Sequence, residues 1–169
     1  NQAIMDFGAL QCTPAQPRCG DCPLAGRCLA LAAGTVGVRP VKQGRAKVRD
    51  RWFNYLHVTC GGQTLLHRRG GGDIWQGLYE FPLIETDKAA DFAELAATAA
   101  FRELLGNGRW HLRRSVTMPG HQLSHQLLHA VFHRIECDAM PAFPSVETAA
   151  LGGYALPRLI DRYLTKYQM

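Results

Sequence analysis

No stretch of this chain is both long and apolar enough to read as a membrane helix. The longest run without Asp, Glu, Lys or Arg extends from Ser115 to His133, and four histidines, two glutamines and Pro119 interrupt it. The first residues, Asn-Gln-Ala-Ile-Met-Asp, lack the basic start and apolar run of a secretion signal, which points to a cytoplasmic protein. An initiator methionine is also missing. The chain starts at Asn1 inside a helical pattern, with Ala3, Phe7 and Leu10 on one face and Ile4 beside them, and is expected to continue a larger protein. No internal repeat or low-complexity tract suggests a repeat architecture. Charged residues make up only 20% of the 169 and hydrophobic ones 47%, so the chain is expected to bury a core rather than behave as a disordered tail.

What charge there is leans basic. Nineteen Lys and Arg face 14 acids, for a formal net charge of +5, which suits an acidic polymer without proving one. The bias is local: between Ala30 and Arg51, the residues Arg39, Lys42, Arg45, Lys47, Arg49 and Arg51 oppose only Asp50, the pattern of a basic linker. Beyond it, Leu56 and Val58 alternate with Tyr55 and His57, then Gly61-Gly62 precedes Thr64-Leu65-Leu66, predicting two strands joined by a tight hairpin. Phe92, Leu95, Ala96, Ala99 and Leu104 predict one helix over 87–105, capped by Thr86 or Asp87 and ended by Gly106. Trp110–Met118 and Leu123–Glu136 read as strands, and Pro157 introduces a final amphipathic helix. The fold class expected is mixed α/β.

Four of the six cysteines crowd into one segment. Cys12, Cys19, Cys22 and Cys28 follow a C-x6-C-x2-C-x5-C spacing, with Pro14, Pro17 and Pro23 restricting the loop. Four soft thiolates suit either zinc or an iron–sulfur centre, whereas disulfides are disfavoured in a cytoplasmic chain. Only one C-x2-C pair is present, where zinc ribbons generally carry two. Cys60 and Cys137 lie in strand-like runs and read as buried neutral thiols.

The stretch Asn1-Gln2-Ala3-Ile4-Met5-Asp6-Phe7-Gly8-Ala9-Leu10, followed by this cysteine spacing, resembles the end of the catalytic domain of MutY-type adenine DNA glycosylases. The resemblance implies that the four cysteines hold a 4Fe-4S cluster, which organises a loop whose Arg18 and Arg27 meet DNA phosphate. Trp75-Gln76-Gly77-Leu78-Tyr79-Glu80-Phe81-Pro82 resembles the same family's second recognisable stretch, at the start of a Nudix-like domain. Read from residues alone, this segment is a glycine-hinged turn into a half-buried strand. An active Nudix hydrolase needs paired glycines and a helix carrying Arg-Glu-x-x-Glu-Glu to hold metal. This chain has Leu83-Ile84 in the glycine positions and runs Arg102-Glu103-Leu104-Leu105-Gly106, so the metal-binding pair is absent.

Histidines at 121, 125, 129 and 133 repeat every four residues. On a helix they would share a face as zinc ligands, but Val131, Phe132 and Ile135 favour a strand, where a spacing of four also repeats one face. Leu123-Ser124-His125 resembles the Phe-Ser-His turn with which the MutY family examines 8-oxoguanine, departing at the Phe position. The resemblance assigns lesion recognition to these three residues. Lys42 and Arg45 in the linker are further candidates for DNA phosphate.

The resemblance thus implies three parts. Residues 1–31 end a helix-hairpin-helix glycosylase domain with its cluster loop, 32–50 form a basic linker, which a protein partner could dock, and 51–169 form a Nudix-like 8-oxoguanine recognition domain. The expected function is base-excision repair by a monomeric, nucleoid-associated enzyme on duplexes containing 8-oxoguanine:adenine mispairs. Its catalytic acids would lie before Asn1, leaving this portion inactive alone. The rival readings are a Nudix-type nucleotide pyrophosphatase and a zinc-stapled DNA-binding module.

Overall fold

The computed structural model describes residues 2–41, 48–106 and 108–167, in two compact units, Asn1–Ala46 and Lys47–Met169. The first unit is short helices joined by turns: α1 (Gln2–Gln11), a 3-10 turn (Ala25–Arg27), α2 (Leu29–Ala32) and a second 3-10 turn (Val36–Val38). No residue of α1 is buried, and Ile4, Met5 and Leu10 are exposed. Among the described residues no helix is long and apolar enough to cross a membrane.

The second unit is built on two long central strands, β1 (Arg49–Cys60) and β8 (Gln126–Cys137), which pair in parallel from Arg49↔Gln126 to Thr59↔Glu136. Between them in sequence come β2 (Gln63–Leu65), β3 (His67–Arg68), β4 (Tyr79–Glu80), β5 (Leu83–Thr86), α3 (Phe92–Ala96), α4 (Ala99–Leu105), β6 (Trp110–Thr117) and β7 (His121–Gln122). The strands β9 (Ser145–Glu147) and helix α5 (Arg158–Tyr167) follow, separated by a 3-10 segment. The main sheet runs β6-β8-β1-β2-β9, with β5 paired to β1 and β7 to β8, while β3 and β4 form a separate pair.

Side-chain alternation along the central strands feeds two cores. Phe53, Tyr55 and Phe132 pack with Leu159, Ile160 and Tyr163 of α5. Leu56, Val58 and Ile135 pack with Leu95, Phe101 and Leu105 of α3 and α4 on the other face. The rings of Phe132 and Tyr163 stack at 4.0 Å between centroids. The result is a mixed sheet between two helical layers, the α/β class expected.

Three features differ from the sequence reading. The helix expected over 87–105 is two helices. Its cap is Asp91, in a capping box with Glu94, and Thr98 restarts the chain by accepting from Phe101 N–H while donating to the Leu95 carbonyl. That restart lets both Leu95 and Phe101 reach the core. The strand expected from Leu123 begins only at Gln126, because 123–125 form the turn. Finally, β1 begins at Arg49, inside the segment assigned to the linker. The hairpin is as expected, with Gly61 and Gly62 both at positive φ (53° and 85°) as a tight turn requires.

Candidate functional site

The cysteine loop is wound by its own backbone. Cys12 N–H donates to the Gly8 carbonyl, Cys22 N–H to Cys19, Cys28 N–H to Ala25, and Ala32 N–H to Cys28. These bonds leave all four sulfurs as free thiols, and Cys12, Cys19, Cys22 and Cys28 line one cavity with Gln11, Arg18, Ala25 and Leu31. Among the described residues no three His, Cys, Asp or Glu side chains are grouped as donors of a single metal ion. Four thiols lining one cavity have the donor chemistry of a soft-metal site. Arg18 and Arg27 are both exposed. Lys42 and Arg45 lie outside the described residues.

In the second unit, Leu123, Ser124 and His125 form the turn between β7 and β8. Leu123 N–H donates to the Gln126 carbonyl at 2.8 Å, and the Gln122 side-chain amide spans the turn to the Leu123 and Gln126 carbonyls. The His125 carbonyl accepts from Arg49 N–H at 3.0 Å, tying the turn to the start of β1. Leu123 is half-buried against the aromatic core, while Ser124 and His125 are exposed. The turn therefore has an apolar anchor below and a hydroxyl and an imidazole at its tip.

The four-residue repeat of histidines does not gather them. His121 stands on β7 beside Trp75, with ring centroids 6.0 Å apart, and His125 is at the turn. On β8, His129 stacks on Trp52 and bonds Asp50 at 2.6 Å, whereas His133 is buried against Phe92 and bonds Ser115. Of the other two cysteines, Cys137 is buried and its thiol is pushed up by burial, while Cys60 is half-buried.

The sequence reading missed an arginine–carboxylate network beside β1. Arg51, only 7% exposed in its side chain, grips Asp73 at 2.7 Å and Glu85 at 2.5 Å, reaches Gln126 at 3.0 Å, and lies over the Phe53 ring. Arg69 holds both Glu80 oxygens at 2.7 Å and also bonds Asp73. The Arg51 guanidinium holds the Asp73 carboxyl well below the usual carboxylate range. Glu80 also accepts from the buried Tyr55 hydroxyl at 3.3 Å. Arg69, Glu80 and Glu85 of this network line a cleft of about 600 Å³ with His67, Glu103 and Phe143. The one sequence signal was Asp73 after three glycines, in a loop that carries Trp75 at φ 61°.

A three-layer fold with this cleft is the architecture of a Nudix domain. The NUDIX domain family model matches residues 54–166, and the chain belongs to that family. It is similar to the adenine DNA glycosylase of Buchnera aphidicola subsp. Schizaphis graminum, 31% identical over 86 residues that cover 51% of this chain and 25% of that protein. It is also similar to the adenine DNA glycosylase of Arabidopsis thaliana, 31% identical over 107 residues covering 55% of this chain and 17% of the relative. The chain thus matches about a quarter or less of the length of these relatives. Among solved structures it is similar to the C-terminal domain of mouse MUTYH in its complex with human PCNA, with a TM-score of 0.55 and 16% identity over 71% of this chain and 88% of that one. The M. smegmatis Nudix hydrolase RenU matches with a TM-score of 0.52 and 13% identity over 75% and 86%. At these identities the structural likeness shows the fold alone.

Proposed function

We propose that this chain is the cluster-bearing and lesion-reading part of an adenine DNA glycosylase, acting in base-excision repair on adenine opposite 8-oxoguanine. The observation that carries the reading is the condition of the Nudix cleft. Its Glu80 is held by Arg69 and its Glu85 by Arg51, and after Arg102-Glu103 the sequence has Gly106-Asn107 where a hydrolase needs its further pair of carboxylates. A cleft so neutralised suits a hydrolase fold reused for binding, and the similarity to glycosylases supplies the substrate class. The parent enzyme would extrude adenine from the stack before cleaving its glycosidic bond. The 169-residue chain by itself is expected to release no adenine.

Ser124 is the residue assigned to sense the lesion. Oxidation turns guanine N7 from acceptor into N–H donor and adds an acceptor at O8, and a serine hydroxyl can both accept and donate. Its position at the exposed tip of a braced turn supports this role. His125 acts through the turn or a phosphate, and Leu123 anchors the turn rather than wedging between bases. In competition binding, Ser124→Ala is expected to reduce the preference for 8-oxoguanine over guanine duplexes by roughly three- to ten-fold, the worth of one hydrogen bond. An unchanged preference removes Ser124 from the reading.

Cys12, Cys19, Cys22 and Cys28 would hold a 4Fe-4S cluster that orders the loop bearing Arg18 and Arg27 for DNA phosphate. Anaerobically isolated protein is expected to be brown, absorbing near about 400 nm and carrying roughly four irons per chain. Stoichiometric zinc without iron would overturn that assignment. A protein partner on the 32–50 linker belongs to the same reading.

A further inference from the structure

The outward side of α5 is not explained by packing. Leu159, Ile160, Tyr163 and Leu164 bury one face of the helix, and Arg158, Arg162 and Lys166, spaced four apart, line its exposed side. Those three cations form one wall of a groove of about 270 Å³ whose other wall is Met118, Pro119 and His121. Among the described residues the one acid lining the groove is Asp161, which pairs with Arg158. Three cations against one carboxylate leave the groove positive. On the same helix, Tyr167 carries Arg114 of β6 over its ring. His121 stands on the rim, where burial and the Arg162 charge push it below its ordinary range.

The groove adjoins the reader turn through the chain itself. His121 begins β7, and three residues later comes Ser124. Three residues span at most roughly 10 Å, within the scale of the B-DNA grooves. From Arg158 to Lys166 the helix rises roughly 12 Å, the axial length of about three phosphates on one strand. A duplex offering a base to Ser124 would therefore bring its backbone to this wall.

We infer that the groove between α5 and the Met118–His121 segment grips the sugar–phosphate backbone of the duplex whose oxidised base meets Ser124. This rests on the lesion-reading function proposed above and locates its sequence-independent grip. An acidic protein segment could answer the same charges, but nothing would then require the groove to adjoin the turn.

The test is fluorescence anisotropy with 8-oxoguanine and guanine duplexes at several salt concentrations, using the whole chain, Arg162→Ala/Lys166→Ala, and the charge-conserving Arg162→Lys/Lys166→Arg. The alanine pair is expected to weaken binding to both duplexes by the same factor, roughly ten-fold, and to reduce the log–log salt slope by about 2. The charge-conserving pair is expected to bind as the parent chain does. Parent-like affinity and slope in the alanine pair would overturn the proposal and leave the groove to a partner other than DNA. Loss of binding in the charge-conserving pair would overturn it as well. A parent chain with no preference for 8-oxoguanine would instead sink the reading of Ser124, a failure visible in the ratio of affinities and separate from the slope.

Discussion

Arg51→Met is expected to lower the unfolding free energy by about 3 kcal/mol, seen as a reduced urea midpoint with an unchanged slope. The arginine is almost fully buried, and two carboxylates depend on it. Removing it leaves Glu85 without its counter-charge and Asp73 with Arg69 alone, close to the situation in which breaking a buried pair costs about 3–5 kcal/mol. The lower end applies because the two acids are still 35% and 34% exposed and can recruit water. Arg51→Lys should recover little, since an ammonium cannot fork to two carboxylates and an amide oxygen at once. Adding Asp73→Asn and Glu85→Gln to Arg51→Met should restore at least half of the loss. If the triple variant is no more stable than the single one, the cost lies in lost packing against Phe53 rather than in charge.

The second large effect is acid sensitivity above the pH at which carboxylates titrate. His57 is buried, stacked on Phe81 and bonded through Nδ1 to the Tyr163 hydroxyl, and its Nε2 has no partner. His133 is equally enclosed, with Nδ1 bonded to Ser115 and Nε2 unpartnered. Burial pushes both down to about 4, with Arg134 adding to the effect at His57. A histidine of lowered pKa contributes nothing above its unfolded value of about 6.5. As pH falls below that, the unfolded chain takes up the proton first and unfolding gains. Each site should then cost roughly 2 kcal/mol by pH 5 and about 3 by pH 4. Urea midpoints measured from pH 8 to pH 5 are expected to fall, and His133→Phe is expected to flatten that decline by about half. A pH-independent midpoint over this range would show that the two imidazoles can be charged where they are.

Much of the fold was legible because local signals and global packing agree. The Gly61-Gly62 turn, the alternation through 55–58 and the Pro157 boundary each have one physical solution. The split helix was not legible. Its apolar positions read as one continuous face, and only tertiary packing decides that Thr98 caps a new helix instead of continuing the old one. The arginine network escaped for a different reason: Arg51, Asp73 and Glu85 are far apart in sequence and follow no period, and only the β1–β5 pairing and the glycine-rich loop bring them together. In the opposite sense, the basic stripe of α5 stood in the sequence at i, i+4 and i+8, yet the helix was read only through its apolar face. The cysteine spacing, by contrast, marks Cys12, Cys19, Cys22 and Cys28 as one group, and the structure lines a single cavity with them.

The hydrogen bond between Arg49 and His125 also bears on how the domain is made. It joins residues at opposite ends of a long intervening segment, at the point where the parallel β1–β8 ladder starts. Such pairing raises contact order, and its loop-closure entropy must be overcome before the ladder rewards it. The 123–125 turn is therefore expected to gain its shape late, together with the centre of the sheet. A newly synthesised chain would then present this turn in its final form only once the central ladder has closed around it.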